Sequence, residues 1–233
     1  NSLTVHVDEL LSVGVNTFRW GADDPRVFIY ITPQYWDQEF YIDNISIKQV
    51  TVAEPIANAP INNKGVVVTE ERFIFALGSG GNSRRVSWCD KENKNDWVAS
   101  ALNEAGDMEL STPGQIMCGL NTRGVTLIIT DTDCFVASYQ GPPYVYSFIK
   151  SGTNCGAVSR LSAVTTDLGA FWFGQENFHY FDGNSVQTVN CDVHDHVFKD
   201  FNSDQQTKIW GMVNGAHNEI WWFYCSGNST EID

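Results

Sequence analysis

The sequence predicts an all-β protein, and three observations lead there. Aromatic residues make up 13% of the 233 residues, with 14 Phe, 8 Tyr and 8 Trp, and 19 Gly punctuate them. Aromatic side chains suit a pleated, half-buried surface, and glycine suits the turns between strands. The Ala- and Leu-rich composition of a helical protein is absent. Pairs of short apolar strands also recur along most of the chain. With 42% apolar and only 18% charged residues, the chain is too apolar to be a disordered tail. The longest purely apolar stretches run to a few residues, such as Val66-Val-Val68, whereas a membrane helix needs about 20. No stable membrane insertion is expected.

Residues 1–52 open with Leu3, Val5 and Val7 alternating with Thr4, His6 and Asp8, the period of a strand. A second strand is expected at 27–32 and a third at 40–50, where Tyr41, Asp43, Ile45 and Ile47 share one face. The phrase Tyr-Ile-Asp-Asn-Ile-Ser-Ile-Lys at 41–48 resembles the closing strand of carbohydrate-binding-module-like jelly rolls. Such a fold takes about eight strands, so this jelly-roll-like β region is read as incomplete. Its rings are candidates for stacking on a host glycan: Phe18, Trp20, Tyr35, Trp36 and Tyr41. Tyr35 and Trp36 follow Pro33 in an expected loop and, with Trp20, are the carbohydrate-binding candidates. Burial of these rings in a core is the alternative.

Residues 53–64 carry Pro55 and Pro60 with Asn58, Asn62 and Asn63 and show no periodicity, which reads as a linker. Residues 65–233 then show an imperfect repeat. Strand pairs are expected at 71–77 with 85–89, at 125–130 with 134–139 and at 170–173 with 178–181, and a further strand at 219–225. Taking Phe73, Thr126, Phe171 and Ile220 as equivalent, the steps are 53, 45 and 49 residues. A period of about 40–50 residues with several short strands per unit is the signature of a β-propeller, in which small sheets cover one another's faces. A β-sandwich with chance spacing is the alternative. About four units would not close most propellers. The chain also starts without Met and ends just after a strong strand, so it reads as a partial propeller within a longer polypeptide.

Candidate chemistry is sparse. Cys89, Cys118, Cys134, Cys155, Cys191 and Cys225 form no C-x-x-C pair, so reduced, buried thiols in a reducing cytoplasm are expected. In Cys191-Asp-Val-His-Asp-His196, His194 and His196 would face one side of a strand and are the weak metal candidates, with Asp192 beside them. No third and fourth ligand stands at a fixed spacing, and a solvated polar segment leading into a short helix is the preferred reading. The stretch 78–85 is glycine-rich but lacks the lysine of a phosphate loop, so it reads as a hairpin loop. Asp131-Thr-Asp133 reads as a turn. No pattern selects a catalytic pair among the 28 acidic residues, and no Gly-x-Ser-x-Gly elbow occurs. No enzyme activity and no cofactor are predicted. Pro142 and Pro143 force a turn or an edge, and Tyr144 and Tyr146 beside them are interface candidates, with core packing as an equal alternative.

An ordered series of phrases carries a second resemblance: Val86-Ser-Trp-Cys-Asp90, Asn95-Asp-Trp97, Asn103-Glu-Ala-Gly-Asp107, Tyr139-Gln-Gly-Pro-Pro-Tyr-Val-Tyr146, Gly174-Gln-Glu-Asn-Phe-His-Tyr-Phe-Asp-Gly183 and Val197-Phe-Lys-Asp-Phe-Asn202. Over about 65–233 the chain resembles the propeller region of tail-tube nozzle or hub proteins of short-tailed, double-stranded DNA bacteriophages. The resemblance implies a virion structural protein, assembled in the host cytoplasm. It also implies a homo-oligomeric, hexameric ring that extends the DNA-ejection conduit and contacts tail adaptor and fibre proteins. The alternative is a tail protein that binds or degrades host-surface polysaccharide. A formal charge of −14 suits a wall along which DNA passes without specific binding, because carboxylates repel phosphates.

Overall fold

The chain divides into two units between Ala53 and Glu54. The structure, a computed structural model, describes residues 56–232, all within the second unit. The strands expected at 3–50 and the sugar-stacking candidates Trp20, Tyr35 and Trp36 lie outside the described residues.

The described residues are mostly β, in four antiparallel sheets that follow one another in chain order. The first sheet is β1 (Gly65–Val68), β2 (Ile74–Leu77), β3 (Arg85–Trp88) and β4 (Gly106–Glu109). The second is β5 (Ile116–Thr122), β6 (Val125–Thr130), β7 (Asp133–Gly141) and β8 (Val145–Thr153). The third is β9 (Ala163–Thr166), β10 (Gly169–Phe173), β11 (Phe178–Phe181) and β12 (Val186–Thr188). Helix α1 (His194–Asp200) and a 3-10 turn at Ser203–Lys208 precede the last sheet, β13 (Trp210–Asn214) with β14 (Glu219–Phe223).

Each four-stranded sheet is a simple meander of consecutive neighbours, with links that range from two residues between β5 and β6 to the long stretch 89–105 between β3 and β4. Arg123 and Gly124 both take positive φ, 53° and 77°, in the two-residue link from β5 to β6, which matches the right-handed twist of a hairpin. The expected strand pairs form as β2 with β3, β6 with β7 and β10 with β11. The glycine-rich stretch is the β2–β3 loop, Asp131 and Thr132 turn between β6 and β7, and the two prolines sit at the tip between β7 and β8.

First strands begin at Gly65, Ile116, Ala163 and Trp210, at steps of 51, 47 and 47 residues. They lie side by side in that order: β1 against β5, β5 against β9, β9 against β13. Gly119 on β5 permits the first of these approaches, since a Cβ there would sit 3.0 Å from both Leu77 Cδ1 and Val67 Cγ1. Between the third and fourth sheets, the Gly211 N–H donates to the Leu161 carbonyl at 2.9 Å, and Leu161 pairs with Trp210 in a parallel bridge.

Three cores alternate with the sheets. Phe73, Phe75, Leu77, Val86 and Trp88 meet Ile116, Ile128, Phe135 and Tyr146 between the first and second sheets. Cys118, Leu127, Ile129 and Cys134 meet Ala170, Trp172 and Phe181 between the second and third. Phe173, Phe178, Val197 and Ile209 form the last, with Phe198 and Trp222 against them. Strand β6 thus sends Ile128 to one core and Leu127 and Ile129 to the other. A strand buried on both faces reads as an unbroken apolar run.

Part of the segment expected as a linker is fastened to the first sheet. The Lys64 N–H donates to the Leu77 carbonyl at 2.8 Å, and the Gly80 N–H to the Ile61 carbonyl at 3.0 Å. Arg160, from the crossover between the second and third sheets, also donates to the Lys64 carbonyl.

Candidate functional site

Two kinds of feature stand out against the packed interior: a phenol–carboxylate cluster at the seam of the first two sheets, and apolar sheet faces at the two ends of the series.

The cluster grows from the β7–β8 hairpin, where Tyr139 and Tyr146 are directly paired across the strands. The Tyr146 ring inserts edge-on between Phe73 and Phe75, with centroids 5.2 and 4.7 Å away. Its hydroxyl donates to Glu71 at 3.0 Å and shares a 2.9 Å hydrogen bond with Thr69. The Tyr139 hydroxyl donates to Glu104 at 2.7 Å, and the Lys91 ammonium stands 5.3 Å from its ring centroid. Hydrogen bonding to the Glu104 carboxylate, then burial, pushes the Tyr139 phenol up to about 12. Burial drives Tyr146 higher still. Both phenols are therefore protonated donors at neutral pH, which suits locking two sheets together and not nucleophilic attack.

Tyr146 was an interface candidate beside the two prolines, and the structure places it inside, 4% exposed. The reason is the strand period, since Tyr146 shares the inward face of β8 with Phe148. Tyr144, at the hairpin tip, is 81% exposed and remains free for contact.

His194 and His196 do not share a strand. They begin helix α1, where residues two apart point to opposite sides. The His194 ring is already engaged. Its Nδ1 lies 3.1 Å from Asp195 Oδ1, its Nε2 lies 2.9 Å from the Glu176 carbonyl, and its face tilts over Phe198 at 4.7 Å. The hydrogen bond with Asp195 raises its pKa above the ordinary histidine value. His196 is exposed on another side of the helix. Among the described residues, no three His, Cys, Asp or Glu side chains gather as a metal site, and no helix is long and apolar enough to cross a membrane.

The end faces follow from the registers. On the first sheet, Val66 opposes Ala76 and Val68 opposes Ile74, on the face turned away from the core. Val66 is 66% and Val68 54% exposed. A shallow depression of about 290 Å³ lies over Val66, Ile74 and Ala76, rimmed by Ile56, Lys64 and Trp97. On the last sheet, Gly211, Val213, Ile220 and Trp222 share the inward face: Trp222 stacks on Phe178 at 4.9 Å and donates to the Ser162 carbonyl at 2.8 Å. The opposite face carries Trp210, Met212, Trp221 and Phe223. Trp210 lies flat on Phe223 at 4.3 Å, and Trp221 is 45% exposed. Sequence reasoning missed both faces, although their signal was present: apolar residues at period two, Val66 with Val68 on β1 and Trp210 with Met212 on β13.

No protein-family model and no curated protein sequence matches the chain.

Proposed function

We propose that the chain is a virion structural protein, a nozzle or hub component of a short bacteriophage tail that forms a ring with its own copies. In this reading the four sheets are successive blades of a β-propeller. The observation that carries it is the series β1, β5, β9, β13: the first strands stand side by side in chain order, and an apolar core fills each gap between sheets. The same kind of apolar surface continues on the outer faces of the end sheets, where further copies would pack. The function is then geometric. The ring holds adaptor and fibre proteins, and its acidic balance of 28 Asp and Glu against 14 Lys and Arg lets DNA pass without being gripped.

Negative-stain imaging of the purified chain, with immunogold labelling of phage particles, tests this. Rings of constant order and label at the tail vertex are expected. A monodisperse monomer at tens of micromolar together with unlabelled particles would overturn the proposal.

A further inference from the structure

Two thiols in the core between the second and third sheets converge on one point. Cys134 lies near the start of β7, directly opposite Gly152 of β8. Cys155 follows the end of β8, where the chain doubles back across the turn that precedes β7. Its N–H donates to the Thr132 carbonyl at 2.9 Å, and the Ala157 N–H donates to the Thr130 carbonyl at 2.9 Å. A Cβ on Gly152 would meet Cys155 Sγ at 2.6 Å and Cys134 Sγ at 3.2 Å. Glycine thus keeps clear the space into which both sulfurs project. Both cysteines are free and buried.

We propose that Cys134 and Cys155 are a redox site, a dithiol that low-molecular-weight disulfides convert reversibly into a disulfide clasp across the open end of the β7–β8 hairpin. The neighbouring Cys134 thiol lowers the pKa of Cys155, which makes Cys155 the attacking sulfur. Its thiolate attacks one sulfur of bis(2-hydroxyethyl) disulfide. A bond forms to Cys155 and one 2-mercaptoethanol leaves as thiolate, which takes up a proton. Cys134 then releases its proton to water and attacks Cys155 Sγ, expelling the second 2-mercaptoethanol. The protein loses two electrons and two protons, and the small disulfide gains both. Because both sulfurs are buried, exchange proceeds through local opening at the hairpin base and is slow.

The test uses the whole chain in native buffer, incubated overnight with bis(2-hydroxyethyl) disulfide, then alkylated and digested with trypsin. Lys150 separates the two cysteines, so the clasp links peptides 124–150 and 151–160. Those linked peptides are expected as the dominant disulfide, lost on adding dithiothreitol. The oxidised chain is expected to melt about 5–10 °C higher, as closing a loop of roughly 20 residues predicts. Cys155→Ser should abolish the link and Cys118→Ser should keep it. If either variant fails to fold, the wild-type peptide map decides alone. Full alkylation of Cys134 and Cys155 after oxidation, or a dominant pairing of either with Cys118, would overturn the proposal.

Discussion

Substituting Gly156 by alanine tests whether the crossover from β8 to β9 rests directly on the turn between β6 and β7. A Cβ at this position would stand 2.0 Å from the Asp131 carbonyl carbon, 2.1 Å from its oxygen and 2.3 Å from the Thr132 nitrogen. Carbon contacts are favourable at about 3.5–4.0 Å, so the two backbones must part by more than ~1 Å. All three obstacles are main-chain atoms, so no rotamer change absorbs the clash. Overpacking of this kind costs about 1–3 kcal/mol. The parting also stretches the two flanking hydrogen bonds, from Cys155 to Thr132 and from Ala157 to Thr130, both 2.9 Å. At about 0.5–1.5 kcal/mol each, they bring the expected loss near ~4 kcal/mol, a large share of a typical domain's stability. The melting temperature should fall by about 8–16 °C. Urea unfolding followed by tryptophan fluorescence reads this well, because the buried Trp172 donates its indole N–H to the Cys155 carbonyl at 2.7 Å. Gly124→Ala is the control. Its φ is +77°, but nothing lies within 4 Å of the added Cβ, so only the left-handed backbone penalty of about 1–2 kcal/mol applies. A loss for Gly156→Ala no larger than that of Gly124→Ala would refute the contact between crossover and turn.

Three further outcomes are expected. The Tyr139 and Tyr146 phenols have folded pKa values raised above the unfolded value of about 10. Their contribution is complete below pH 10 and is lost as pH rises toward 12 and beyond, because the unfolded chain releases protons that the fold retains. Tyr146→Phe should flatten the alkaline limb of a stability–pH curve and lower stability at pH 7 by about 1–2 kcal/mol; an unchanged alkaline limb would contradict the assignment. Proton NMR should place the His194 midpoint above that of an ordinary histidine and the His179 midpoint below it, since the hydrogen bond with Asp195 favours the first cation and burial disfavours the second. His194 therefore adds stability below about pH 6.5 that fades as pH rises through its folded pKa, whereas His179 withdraws stability as pH falls below about 6.5. The reverse order of midpoints would refute both environments. On the outer face of the last sheet, Trp221→Glu should leave the melting temperature within about 2 °C, as surface changes usually do. It should also shift sedimentation toward monomer; an unchanged ring population would remove that face from the assembly.

The second and third strands of the three four-stranded sheets were legible because they are buried on at least one face by aromatic or branched residues. Phe-Ile-Phe at 73–75, Leu-Ile-Ile at 127–129 and Phe-Trp-Phe at 171–173 are unmistakable runs. The outer strands were not legible. Gly-Asp-Met-Glu of β4 and Val-Gln-Thr of β12 are half-exposed edges whose residues satisfy water as well as a neighbour. The weak metal alternative for the histidine pair assumed period two, whereas the chain is helical there. The expected helix begins three residues earlier than the apolar Val197 suggests, with Asp195 supplying a carboxylate in its first turn. For Tyr146 interface and core stood as equal alternatives, since prolines mark a turn but do not fix which side of the next strand faces inward.

Burial ties the fold to the proposed assembly. A sheet within the series has two neighbours, so both its faces are apolar, as Ile128 against Leu127 and Ile129 demonstrate on β6. A sheet at either end has one neighbour among the described residues, and simple economy predicts a polar outer face. The first sheet instead exposes Val66 and Val68, and the last exposes Met212 and Trp221. Full burial of such a side chain is worth about 1.5–3 kcal/mol, and at 37–66% exposure each of these forfeits part of it. Surfaces of that kind persist where something covers them in the working state. The end faces differ from one another, valines on one and indoles on the other. In the proposed assembly, contact between unlike faces would be heterologous, which makes a ring only where the rotation closes and an open filament where it does not.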